Sequence, residues 1–180
     1  MSRHATLEGP DEKHWRSSIP RDIYQRVLQY ALDMVNASGR NDTIAGKAAY
    51  RRLRRYWRAQ EAKGRFHPFI PETVADFTDR VASRVKLYHH ALRLARRMHE
   101  QEHTILLALG EQYLQSGNVR AARRCLIAAE ADAIRHRDRE DARSARKLLK
   151  QAPPNKEFER TRSTQTAVGP RRSIQCWAGH

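Results

Sequence analysis

Cysteine is almost absent. Cys125 and Cys176 are the only two in 180 residues, too few for a disulfide framework or a cysteine-rich zinc site. Glycine and proline, at 8 and 7 residues, are too sparse for collagen-like or Pro/Gly low-complexity structure. No apolar run is longer than Ile105–Leu109, far short of the roughly 20 residues of a membrane helix. Residues 1–20 are polar and lack the apolar stretch of a secretory leader, so a cytoplasmic location and no membrane partner are expected. There is no glycine-rich phosphate loop, no G-x-S-x-G and no cysteine beside a local base. The sequence therefore points away from an enzyme and implies no cofactor.

Acidic residues are also in short supply. Against 35 Lys+Arg stand 20 Asp+Glu, leaving a net charge of +15. The 39% apolar content is low for a globular chain but too high for a wholly disordered one. The basic excess is not spread evenly. Eight basic residues between 41 and 67 face only Asp42 and Glu61, the footprint of a surface for nucleic acid or another acidic partner.

What is present is helical period. Ile23, Val27, Tyr30, Ala31 and Met34 recur every three or four residues after Pro20, and Asn36–Gly39 closes that helix. Asn41-Asp42-Thr43 offers caps for a second helix. Its apolar stripe runs through Ala45, Ala49, Leu53 and Tyr56, and Gly64 ends it. Phe66–Pro71 reads as an ordered connector with two prolines. A single long helix is expected from Pro71 to about Met98, followed by a polar break at His99–His103. Helices at 105–114, 119–134 and 142–149 complete a set of about six, with no strand. The fold expected is all-α, with antiparallel hairpins burying their stripes by stacking. A flexible arm (1–19), a helical domain (20–150) and a disordered basic tail (151–180) make up the organisation.

One hairpin carries a pattern of its own. Leu106, Leu109, Gly110 and Tyr113 on a first helix, Gly117 in the turn, and Ala122, Leu126 and Ala129 on a second have the spacing of small and large residues that lets two helix backbones approach closely. Residues 103–136 resemble a tetratricopeptide repeat, and 88–150 resemble it more weakly. Leu106 stands where the family has a bulky aromatic, and Ile134 where it has a closing proline. The resemblance implies a short stacked array and a non-catalytic adaptor that holds another protein or peptide. On such a surface Arg84, Arg93, Arg120 and Arg124, which flank the apolar stripes, would contact an acidic partner.

The alternative function is nonspecific nucleic-acid binding through helix 47–58. There Arg51, Arg52, Arg54, Arg55 and Arg58 could contact phosphates, and Trp57 could stack on a base unless it packs against the hairpin. The string His99-Glu100-Gln101-Glu102-His103 matches H-E-x-x-H, in which two histidines one helical turn apart hold zinc. The expected bend at these residues breaks that geometry, and Glu111, Glu130 and His136 are the nearest third ligands. No metal is expected. His89 and His90 read as surface or packing histidines, and Cys125 as a small side chain in an alanine-rich helix.

Overall fold

The computed structural model describes residues 19–152. The arm and tail expectations for 1–18 and 153–180 lie outside the described residues, as does Cys176. Seven helices account for the described residues: α1 (Arg21–Gly39), α2 (Thr43–Ala62), α3 (Phe69–Asp76), α4 (Val81–Met98), α5 (His103–Gln115), α6 (Val119–Arg135) and α7 (Arg139–Gln151). No strand occurs among them, and no helix is long and apolar enough to cross a membrane.

The expectation of six helices is corrected at Phe77–Arg80, where the long helix divides into α3 and α4. Thr78 is the physical cause. Its hydroxyl donates to the Val74 carbonyl (2.7 Å) and its amide to Ala75 O. Tyr50 of α2 and Thr78 share a hydroxyl hydrogen bond of 2.8 Å. Arg84 reaches back so that Nε donates to Thr78 O at 2.8 Å, while another of its nitrogens donates to Gln112 of α5. The break is thus held by side chains from α2, α4 and α5. Val74, Phe77, Val81 and Val85 keep helical spacing straight across it, so periodicity does not reveal it. The expected connector before Pro71 also ends sooner, because α3 begins at Phe69.

Five helix ends share one construction. A residue with positive φ follows the helix, and the next amide donates back to a carbonyl five residues earlier. Asn41 (φ 54), Gly64 (φ 69), His99 (φ 57), Gly117 (φ 74) and Arg137 (φ 61) are the left-handed residues. The corresponding bonds are Asp42 N to Ala37 O, Arg65 N to Gln60 O, Glu100 N to Ala95 O, Asn118 N to Tyr113 O and Asp138 N to Ala133 O, all 2.8–2.9 Å. In three of these turns the next residue is also the N-cap of the following helix. Asp42, Asn118 and Asp138 each accept a backbone amide from the first turn beyond. The chain therefore reverses in three residues at each, which makes α1/α2, α5/α6 and α6/α7 tight neighbours.

Two apolar clusters result. Ile19, Ile23, Val27, Met34, Ala49, Leu53, Ile70 and Val74 join α1, α2 and α3. Ala75, Tyr88, Ala91, Leu92, Ala95, Ile105, Leu106, Leu109, Ala129 and Ala145 join α3 to α7. The adjacent Val74 and Ala75 face different clusters, and Leu87 packs against both. So α3 is the element that locks the N-terminal hairpin onto the rest.

Helices α5 and α6 pack through the small and large residues of 106–129. Leu109, Ala122 and Leu126 are fully buried, with Leu106 and Ala129 nearly so. A Cβ placed on Gly110 would lie 2.5 Å from Leu126 Cδ2 and 2.6 Å from its Cγ. The α5 backbone therefore rests directly on the Leu126 side chain, and Tyr113 packs against the second cluster. Gly117 takes the positive φ of the turn.

Candidate functional sites

The basic segment forms one face of α2. At 100° per residue, Lys47, Arg51, Arg54, Arg55 and Arg58 fall within about 100° of arc. Buried Ala49, Leu53 and Gln60 occupy the opposite side. All five cations are exposed. Arg52 lies off this stripe and pairs with Asp33 of α1 at 3.3 Å. Arg54 lies over the Tyr50 ring, 5.9 Å from its centroid, a cation–π contact within the helix. Trp57 is half-buried, packs against the N-terminal core and meets the His90 ring at 5.7 Å. It serves the hairpin contact that the sequence offered as its other reading. The arginines are thus brought together, and the tryptophan is turned away from them.

The four arginines expected at a partner groove do not share one setting. Arg84 is half-buried and bonded to Thr78 O and Gln112, so it holds the α3–α4 break. Arg93, Arg120 and Arg124 are exposed. Arg93 and Arg124 border a common pair, His89 and Tyr113, whose Nε2 and hydroxyl are 2.7 Å apart. Burial, and then the Arg93 and Arg96 charges, hold the His89 imidazole below its ordinary pKa. Burial raises the Cys125 thiol on the same patch, which keeps it protonated and unreactive. His90 approaches Glu61 at 3.3 Å. Both histidines of that pair are packing residues.

An acidic cavity, which the charge count does not suggest, lies between α3 and the start of α5. It has a volume of about 340 Å³ and is walled by apolar Ile19, Pro68, Phe69 and Ile105. Its polar lining includes His67, Glu72, Asp76, Glu100, His103 and Asp138. Burial pushes the Glu72 carboxyl up to about 7, against a hydrogen bond from Thr104 and with help from the Asp76 and Asp141 charges. Tyr88 donates to Asp76 at 2.7 Å and fixes that carboxylate.

His103 is the deepest polar residue here, its side chain 2% exposed. The H-E-x-x-H string does bend: His99 is the left-handed residue that ends α4, and His103 opens α5. Helix α5 has no side-chain cap of its own. Asp132, near the end of α6, supplies it by accepting the Glu102 and His103 amides at 2.8 and 3.0 Å. Burial would raise the Asp132 carboxyl, but the Glu102 amide, His103 and the His136 charge outweigh it and hold its pKa below the usual range. Sequence reasoning missed Asp132, Asp138 and Asp141 as partners of His103. The only local signal is an acidic run beside the α6–α7 turn, and it reads as solvated charge.

Compared with protein-family models, with curated proteins and with solved structures, the chain matches none.

Proposed function

We propose that this chain is a non-catalytic helical scaffold that binds the phosphate backbone of nucleic acid through the outer face of α2. One observation carries the reading: five exposed cations on a single helix face, with the apolar side of the same helix packed against the N-terminal core. Four of them are arginines, whose planar donors suit phosphate oxygens. The stripe from Lys47 to Arg58 is about 16 Å long and can lie along several phosphates at once. It presents no side chain arranged to read base edges, so binding is sequence-independent and salt-sensitive.

The test is fluorescence anisotropy of the full chain with a labelled duplex and a single strand across a salt series. Neutralising about four phosphates gives a slope of log K against log salt near −3.6 on duplex. Arg51→Glu/Arg55→Glu/Arg58→Glu should weaken binding at least tenfold and flatten the slope. An unchanged affinity in this variant would remove α2 from the interface.

A second reading, the protein adaptor of tetratricopeptide-like type, is favoured by a separate observation. Leu28, Leu32 and Val35 of α1 are 38%, 46% and 56% exposed, and their spacing puts them on one helix face. The Gly110–Leu126 contact and the short α5–α6 turn support the repeat character of that half. A bound protein lost on Leu32→Asp but kept by the arginine variant, after nuclease treatment, would favour the adaptor.

A further inference from the structure

We infer that His103, Asp138 and Asp141 form a binding site for a divalent transition-metal ion, with Asp132 as its positioning residue. The ligand atoms of the three side chains lie within 4.8 Å of one another. His103 Nε2 is 3.5 Å from Asp138 Oδ2 and 3.6 Å from Asp141 Oδ2.

Those distances are longer than the roughly 2.7–2.9 Å of a charge-assisted hydrogen bond. Ligands about 2.0–2.1 Å from a tetrahedral zinc are about 3.3–3.4 Å apart. The observed spacing is close to that of donors sharing an ion.

The other ring nitrogen points to the same arrangement. His103 Nδ1 is 3.2 Å from Asp132 Oδ2. With the proton on Nδ1 and directed to that carboxylate, Nε2 carries a lone pair, which faces the two carboxylate oxygens. Three electron-rich atoms then face one another where the buried imidazole meets the surface, an arrangement a cation relieves. A carboxylate behind the imidazole is also what orients a metal-binding histidine and raises its basicity.

The remaining groups leave the donors available. Asp138 uses Oδ1 to accept the Glu140 and Asp141 amides, so Oδ2 is the oxygen turned to His103. His103, the first residue of α5, is 2% exposed, whereas Asp138 and Asp141 are 36% and 24% exposed, giving an ion a path inward. His103 and Asp138 also line the 340 Å³ cavity. Three protein donors leave a further coordination position for water or a small anionic ligand entering from it. The H-E-x-x-H string thus contributes one ligand, His103, with partners that lie 35 and 38 residues further along the chain in place of His99.

The test uses the full chain without an affinity tag, freed of metal by chelator and titrated with zinc chloride by calorimetry. One saturable equivalent is expected, with a rise in melting temperature. Asp138→Asn and Asp141→Asn, each still able to fold because the site is open on that side, should weaken the affinity at least tenfold. Cobalt(II) should give an absorption band in the visible region that both variants lose. Absence of a saturable equivalent, or variants that bind zinc like the parent, would overturn the site and assign any uptake to other histidines. Equal stabilisation by magnesium at the same concentration would overturn the transition-ion class.

Discussion

Gly110→Ala is expected to destabilise the protein, although replacing glycine by alanine inside a helix ordinarily stabilises it by about 1 kcal/mol. The new Cβ would fall 2.5 Å from Leu126 Cδ2 and 2.6 Å from Leu126 Cγ. Leu126 is fully buried and cannot swing into solvent. Either its rotamer or the α5–α6 separation must give, at about 2–3 kcal/mol for an overpacked core. Subtracting the propensity gain leaves a net loss of about 1–2 kcal/mol, or about 3–6 °C in melting temperature for a domain of this size. The companion experiment removes the obstacle. Leu126→Ala alone costs about 2–5 kcal/mol. In that background Gly110→Ala should change sign and stabilise by up to about 1 kcal/mol, because only the propensity term is left. Urea melts of the four proteins give a coupling energy of at least about 1 kcal/mol. Additive effects, or a Gly110→Ala single variant as stable as its parent, would refute the close approach as the reason for glycine.

Glu72→Gln tests the acidic cavity. The folded pKa of about 7 lies above the ordinary 4.5, so the folded state holds its proton more tightly than the unfolded chain. Stability from this group is complete below about pH 4.5 and is lost as pH rises through 7. The variant should therefore exceed the parent by about 1–3 kcal/mol at pH 8 and match it near pH 4.5; equal gains at both values would mean that Glu72 ionises freely. Asp132→Ala should cost about 2–3 kcal/mol in chemical denaturation, because two α5 amides lose their acceptor, while Asp132→Asn, which retains an acceptor, should cost less. A loss below about 0.5 kcal/mol for the alanine variant would show that water caps α5 equally well. On duplex nucleic acid, single Arg→Glu changes at 51, 55 and 58 should each reduce the salt slope by about 1–2, whereas Arg52→Glu, at a residue paired with Asp33, should have a smaller effect. Identical effects from all four would mean that net charge, and not the stripe, governs binding.

Much of the helical fold was legible because its signals are local. The α1 stripe, the Asp42 cap, and Gly64 and Gly117 as terminators are all set by nearest neighbours in sequence. The limits are just as physical. Three of the five left-handed helix ends use Asn41, His99 and Arg137, and arginine gives no warning of a positive φ. The α3–α4 break depends on Thr78 finding Tyr50 and Arg84, partners from other helices. The arginine face was legible for the same reason as the helices: period alone places Lys47, Arg51, Arg54, Arg55 and Arg58 on one side.

The acidic cavity shows where period stops informing. A chain with a net charge of +15 gathers Glu72, Asp76, Glu100, Asp132, Asp138 and Asp141 around or beside one buried histidine. These carboxylates come from α3, the α4–α5 link, the end of α6 and the start of α7, with Asp138 and Asp141 the closest neighbours in sequence. Capping assembles two of them, Asp132 and Asp138. Helix α5 begins without a cap of its own, Asp132 arrives from α6 to provide one, and Asp138 caps α7 one turn of chain later. The tight α6–α7 reversal then sets both carboxylates against His103. The charge that terminates the helices is the same charge that surrounds the imidazole, so the C-terminal hairpins cannot close without building this cluster. The two electrostatic surfaces are consequently separate in origin: the α2 face is cationic because its outer positions are free of packing constraints, and the cavity owes part of its acidity to helix ends that require acceptors.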